Sequence, residues 1–344
     1  MSIKNISIGD CKIGDGEPVF IIAEVSANHR GDIQTALKAI DAASHAGADA
    51  VKFQHLTHDK IAAEPLSSFY KSAELPYEWT DKIIARAKEK DIIFLSTPFD
   101  HEAVDVLHKA GTPAFKVASY EMTDDILLRY LAKKGKPIII STGMAYLEEV
   151  KHAVDVIKQE GNDQIIVLHC VSLYPPQFKD LNLKAIQTLR HELNRPIGYS
   201  DHADPSSNVA TLGAIALGAC MIERHITDSQ EGNSNDDKNS MTIAQFKNMV
   251  TEIRSLEEAM SRSGVKEPVS APDRVMDEIK ERGTRRSLYA LRDIKKGEPL
   301  DVSMIITLRP LRGIEPKDLG KIIGKKTLRA ISARSPITYN DLEA

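Results

Sequence analysis

Four charged side chains interrupt otherwise apolar stretches of this sequence: Glu24, Lys52, Lys116 and Glu223 each sit among aliphatic residues. Charges are almost never buried without a partner or a ligand, so each of the four demands one. The same stretches supply hydroxyls at Thr97, Ser119, Ser141 and Ser200. Two lysines and several hydroxyls from separate stretches make a cradle for a phosphate or carboxylate. His202 and His225 add two imidazoles that one divalent cation can share, leaving positions open for water and substrate. Asp201 and Glu223 are candidate further ligands or outer partners of that pair. Taken singly, each residue has a plainer reading: a strand lysine at a rim, or a histidine satisfying a backbone group. Their recurrence at the ends of successive apolar runs argues for a site.

The runs that must position them number eight: residues 19–26 (VFIIAEVS), 50–54 (AVKFQ), 92–98 (IIFLSTP), 114–119 (AFKVAS), 137–142 (PIIIST), 164–170 (QIIVLHC), 197–201 (IGYSD) and 221–226 (MIERHI). Stretches with helical spacing separate them, and after the last run Phe246, Met249, Val250, Ile253, Leu256 and Met260 keep one apolar face. Near-continuous apolar strands alternating with helices predict a parallel sheet covered on its faces. Eight units predict an α/β fold of the (βα)8 TIM-barrel type over residues 1–262. The competing open doubly wound sheet loses its main support because no G-x-G-x-x-G follows the first strand. Barrel sites form at the carboxyl ends of the strands, where all eight runs become polar. Strand alternation puts Lys52 with Gln54, and Glu223 with His225, on shared faces. The connection between the second and third runs carries Phe69, Tyr70, Tyr77 and Trp79, packing residues or a partial lid. The polar loop after the eighth run makes Asp236 or Asp237 a candidate for binding hydroxyls.

A polar stretch over residues 263–284 reads as a linker, and residues 285–344 as a small, mainly β module with runs SLYAL, MIITL and KTLRAI. Lys and Arg total 45 against 49 Asp and Glu, a net charge of −4. There is no global basic field for nucleic acid or an anionic membrane, so an anionic ligand must be held locally. Three scattered cysteines, no signal-peptide pattern and no long apolar stretch lead us to expect a cytoplasmic protein.

Read in order, EVSANH (24–29), KFQ (52–54), STPF (96–99), KVASYE (116–121), STGM (141–144), SDH (200–202) and ERHITD (223–228) resemble the sialic acid (nonulosonic acid) synthases. The segment RRSLYALRDIKKGE (285–298) with LRP (308–310) resembles that family's C-terminal antifreeze-like (SAF) domain. The resemblance implies condensation of phosphoenolpyruvate with an N-acyl hexosamine to give a nine-carbon 2-keto acid and phosphate. It implies a divalent ion held by His202 and His225, of the Mn2+ type with Mg2+ or Co2+ also open, acting as a Lewis acid on the sugar aldehyde. Glu24 matches a catalytic carboxylate that stabilises charge or activates water. Lys52, Thr97, Lys116, Ser119, Ser141 and Ser200 match the phosphoenolpyruvate cradle, and Gln54, Glu121, Tyr174 and Asp236 face the sugar. Arg309 matches an arginine that one subunit inserts into its partner's barrel, implying a domain-swapped homodimer. The favoured product is of the N-acetylneuraminate type. A pseudaminic or legionaminic acid synthase acting on a 2,4-diacetamido hexose is the alternative, and a Schiff-base aldolase using Lys52 or Lys116 a more remote one.

Overall fold

A computed structural model describes residues 3–64, 66–231, 234, 236–260 and 284–344, except the Phe69 side chain. The chain opens with an antiparallel hairpin of β1 (Ile6–Ile8) and β2 (Cys11–Ile13). Eight parallel strands follow: β3 (Phe20–Glu24), β4 (Ala50–His55), β5 (Ile93–Pro98), β6 (Phe115–Val117), β7 (Ile138–Ser141), β8 (Ile165–Cys170), β9 (Ile197–Asp201) and β10 (Met221–Thr227). Because β10 pairs with both β9 and β3, the sheet closes on itself, and the two-residue strand β11 (Met241–Thr242) pairs with the end of β10. The helices that alternate with the strands are α1 (Ile33–Ala46), the short α2 (His58–Ile61) and α3 (Ser67–Tyr70), then α4 (Thr80–Glu89), α5 (His101–Ala110), α6 (Asp125–Ala132), α7 (Leu147–Gln159), α8 (Ala185–Leu193), α9 (Val209–Ala216) and α10 (Ile243–Met260). This is the expected (βα)8 barrel. Each strand begins and ends within three residues of its apolar run.

Strand alternation divides the interior into two kinds of packing. Outward residues such as Ile21, Val51, Phe53, Phe115, Ile140 and Ile222 pack with the helices in one large core. Inward residues at the amino-terminal half of the barrel, including Phe20, Ile22, Leu95, Ile139, Ile166 and Met221, form a second core with Ile8 and Ile13 of the hairpin, which plugs that end. Gly198 belongs to this inner layer. A Cβ there would lie 2.5 Å from Leu168 Cδ2 and 2.6 Å from the Met221 carbonyl oxygen, so only glycine allows β8, β9 and β10 to close this tightly. One layer toward the carboxyl ends, the inward positions switch from apolar to Glu24, Lys52, Thr97, Lys116, Ser141, Ser200 and Glu223. On α10, Phe246, Met249, Val250 and Ile253 are buried as expected, whereas Met260 is 50% exposed because it lies on the last turn, past the reach of the core.

Chain contacts divide the protein into units Met1–Ser261 and Arg262–Ala344. The linker expected over 263–284 lies, apart from Thr284, outside the described residues. The second unit has an antiparallel pair, β12 (Ser287–Ala290) with β13 (Ile305–Leu308), and its own core of Leu288, Ile294, Leu300, Ile314, Ile322, Ile331 and Ile337. The third expected run, KTLRAI, forms isolated bridges at Lys326, Thr327 and Ile331 instead of a continuous strand.

Candidate active site

Thirteen of the fourteen residues that the family resemblance assigns line one cavity of about 620 Å3 at the carboxyl ends of the strands: Glu24, Lys52, Gln54, Thr97, Lys116, Ser119, Glu121, Ser141, Tyr174, Ser200, His202, His225 and Asp236. Arg309, the fourteenth, is exposed in the small unit just beyond β13. The alternation that buries Phe20, Ala50 and Met221 below brings Glu24, Lys52 and Glu223 to the cavity floor above.

The floor is a network of four buried charges. Lys52 Nζ contacts Glu24 Oε2 closely and lies 3.7 Å from Glu223 Oε2, while Lys116 Nζ lies 3.4 Å from Glu223 Oε1. Hydroxyls complete it: Lys52 donates to Thr97 Oγ1 at 3.2 Å and Ser200 donates to Glu223 Oε1 at 2.9 Å. Burial alone opposes every one of these charges, and pairing overcomes it at Glu223 and Lys52 but not at Glu24 and Lys116. Burial pushes the Glu24 carboxyl up although Lys52 pulls it down. At Glu223 the two lysines outweigh burial and hold the carboxyl well below its ordinary value. Lys52 is raised despite burial because both glutamates face it, and Lys116 is lowered by burial. Formally two lysines and two glutamates balance, and burial favours the uncharged forms of Glu24 and Lys116.

Small hydroxyls border this floor. Ser141 Oγ is buried with no hydrogen-bond partner, a donor held ready for a ligand. The Gly143 N–H donates to Ser119 Oγ at 3.0 Å, and a Cβ on Gly143 would lie 2.1 Å from Ser172 Oγ and 2.9 Å from Ser119 Oγ. Cys170 Sγ sits 3.1 Å from Ser119 Oγ, and burial raises its thiol pKa, which opposes a nucleophilic role.

His202 and His225 face each other across β9 and β10 with ring centroids 5.4 Å apart. The His202 Nδ1–H donates to the Val171 carbonyl at 3.2 Å, which leaves its Nε2 lone pair free, and His225 Nδ1 is buried without a hydrogen-bond partner. Burial drives His202 down to about 3, keeping the imidazole in the neutral form that binds metal. Two imidazoles facing each other in this way could share one divalent cation. Among the described residues no group of three or more His, Cys, Asp or Glu is gathered that could hold a metal, so this pair offers two donors at most. Asp201 cannot be a third: its carboxylate points away from the cavity, to Thr211 Oγ1 at 2.7 Å and to Arg224.

At the rim, burial pushes the Glu121 carboxyl up to about 7, and its Oε2 has no hydrogen-bond partner. The structure separates the two acids after β10. Asp236 lines the cavity, whereas Asp237 is fully buried and pins the loop by accepting hydrogen bonds from Arg30, Thr227 Oγ1 and the Ser234 N–H. An apolar wall made of Ala27, Leu56, Ile61, Ala62, Leu66, Tyr70 and Phe99 was missed by sequence reasoning apart from Tyr70. Most of it lies between β4 and α4, in loops and two helices of four residues each, too short for a periodicity to announce which residues face inward. Of the other three aromatics of that connection, the Phe69 side chain lies outside the described residues, and two are packing residues, Tyr77 stacked on His55 and Trp79 edge-on to His29.

A (βα)8 barrel with a lysine–hydroxyl floor and a facing histidine pair, followed by a separate small β unit, is the class these features define. Residues 39–265 match the NeuB family and residues 285–343 match the SAF domain. The chain belongs to the NeuB family and carries a C-terminal SAF domain. It is 38% identical to the pseudaminic acid synthase of Campylobacter jejuni over 85% of this chain and 87% of that protein. It is likewise 38% identical to the N,N'-diacetyllegionaminic acid synthase of Legionella pneumophila, over 86% of this chain and 87% of that one. The crystal structure of the N-acetylneuraminic acid (sialic acid) synthetase from Leptospira borgpetersenii superposes with a TM-score of 0.74 at 34% identity, covering 81% of this chain and 98% of that one.

Proposed function

We propose that this protein is a carbon–carbon bond-forming transferase that condenses phosphoenolpyruvate with an N-acyl hexosamine to give a nine-carbon 2-keto acid and phosphate. The observation that carries the reading is the convergence of strand-end lysines, hydroxyls, a buried glutamate and two histidines on one cavity. Relatives named for pseudaminic, N,N'-diacetyllegionaminic and N-acetylneuraminic acid synthesis support the class. Lys52, Lys116, Thr97, Ser119, Ser141 and Ser200 hold the phosphate and carboxylate of phosphoenolpyruvate. Gln54, Glu121, Tyr174 and Asp236 orient the sugar so that its aldehyde carbon meets C3 of the enol. As C3 attacks, positive charge develops at C2. Glu24 stabilises that charge and takes a proton from the water that adds there. The resulting C2 hydroxyl then loses its proton as the C2–O bond to phosphate breaks, leaving the ketone.

His202 and His225 would hold a divalent cation, of the Mn2+ type, that supplies Lewis-acid polarisation of the sugar carbonyl. The facing imidazoles, with His225 Nδ1 buried and unpartnered, support this reading. Lys52 is held charged by its glutamates, which opposes imine chemistry there, and borohydride trapping of pyruvate on Lys116 remains the direct check on an aldolase.

The N-acetylneuraminate type was favoured on the motifs, but the apolar wall favours the 2,4-diacetamido alternative, whose second acetamido group offers a further methyl for it to cover. A phosphate-release panel over N-acetylmannosamine, its 6-phosphate and 2,4-diacetamido hexoses decides. The proposed class requires release with at least one sugar and none without; the wall requires the diacetamido sugars to win on kcat/KM.

A domain-swapped homodimer that brings Arg309 to a partner's cavity is part of the proposal. Met144, Tyr146, Leu173, Tyr174 and Phe178 leave an exposed apolar rim near the cavity mouth, and residues 285–344 carry thirteen Lys and Arg against seven Asp and Glu, a basic composition suited to acidic Asp236. Three free thiols and the use of phosphoenolpyruvate fit a reducing cytoplasm. No described helix is long and apolar enough to cross a membrane.

A further inference from the structure

Arg224 is the largest fully buried side chain among the described residues. It lies on the outer face of β10, where its same-face neighbours Ile222 and Ile226 belong to the apolar core. An aliphatic residue would serve that layer, and a buried ion pair is seldom more stable than apolar packing of similar volume. The guanidinium does something an aliphatic side chain cannot. Its NH1 group meets Asp201 Oδ1 at 2.8 Å and donates to the Asp201 carbonyl at 3.0 Å, and its NH2 group donates to the Ala203 carbonyl at 2.8 Å. Those two carbonyls bracket His202. Asp201 closes the loop by accepting from the Ala203 N–H at 2.9 Å and from Thr211 Oγ1 at 2.7 Å. Arg224 itself directly precedes His225 and stands in register with Asp201 across the β9–β10 pairing. One buried guanidinium therefore ties together the two strand ends that deliver the histidines.

We infer that Arg224 and Asp201 are positioning residues that fix His202 relative to His225 for a shared divalent cation, an inference that rests on the metal reading proposed above. Removing one partner strands a buried charge, so the informative variant replaces both, Asp201→Leu with Arg224→Met. Mn2+ binding to the full-length protein without substrates, followed by calorimetry beside a thermal melt, is expected to weaken by about 10- to 100-fold while melting stays cooperative. Inorganic phosphate binding, which draws on Lys52, Thr97, Lys116, Ser119 and Ser141 from β4 to β7 as well as on Ser200, is expected to change far less than Mn2+ binding. A cooperatively melting double variant with wild-type Mn2+ affinity overturns the inference. Arg224→Lys keeps the charge but cannot span both carbonyls. Should the double variant not fold, a weaker Mn2+ affinity in Arg224→Lys supports the role, and an unchanged one refutes it. If the wild-type protein takes up no Mn2+, the metal reading itself fails. Nitrogen-detected histidine spectra of the metal-free proteins then decide: His202 is expected to lose its fixed Nδ1–H tautomer in the variants, and keeping it overturns the positioning role.

Discussion

Glu121 has a carboxyl that burial pushes up to about 7 from an ordinary value of 4.5, with its Oε2 lacking any partner. Between those two values the folded protein holds a proton that the unfolded chain has released. Stability from this group is therefore complete below the ordinary value and is lost as pH rises through about 7. Glu121→Gln removes the titration. The wild-type melting temperature is expected to fall relative to that of Glu121→Gln between pH 5 and pH 8, and parallel curves would show that the carboxyl is not held neutral. A neutral Glu121 also donates a hydrogen bond to a sugar hydroxyl or acyl oxygen, whereas an ionised one only accepts.

Elements set what a single residue can do, and two glycines in the barrel separate closure from chemistry. Gly198→Ala puts a Cβ against Leu168 and the Met221 backbone and is expected to cost about 1–3 kcal/mol of stability, read by denaturant melts. Gly143→Ala pushes instead on Ser172 and Ser119 hydroxyls, which can turn away, so its expected effect is a raised KM for phosphoenolpyruvate with little change in stability. Equal effects of the two on stability would contradict this division. Strand periodicity explains why so much of the site was legible beforehand. Once Phe20, Ala50 and Met221 are read as inward, Glu24, Lys52 and Glu223 must be inward too. Features outside that periodicity were not legible. The hairpin plug rests on runs of three residues each, too short to signal a strand. The wall from Leu56 to Tyr70 lies in loops and two four-residue helices, too short to show a period. Arg224 read as part of a site motif, yet parity turns it outward, and its bonds to carbonyls of β9 and the loop beyond depend on a strand neighbour that no local pattern reveals.

At the scale of the whole molecule, the proposed exchange of small domains has a consequence that neither unit has alone. If Arg309 serves a partner's cavity, Glu24→Gln and Arg309→Ala damage opposite sides of each site. Mixed, unfolded and refolded together, the two inactive proteins are expected to regain activity, because in each hybrid dimer the barrel with Glu24 intact receives Arg309 from its partner. No recovery would place Arg309 in its own chain's site or outside the chemistry. The central claim is that a carbon–carbon bond forms at C3 of phosphoenolpyruvate while the C2–O bond breaks. Phosphoenolpyruvate carrying a heavy-oxygen label at the bridging position tests it most directly, in the presence of Mn2+ and the best N-acyl hexosamine of the panel. All of the label is expected in the released phosphate, with an equal amount of nine-carbon keto acid. Label retained in the organic product, or phosphate released at the same rate without sugar, would contradict the account.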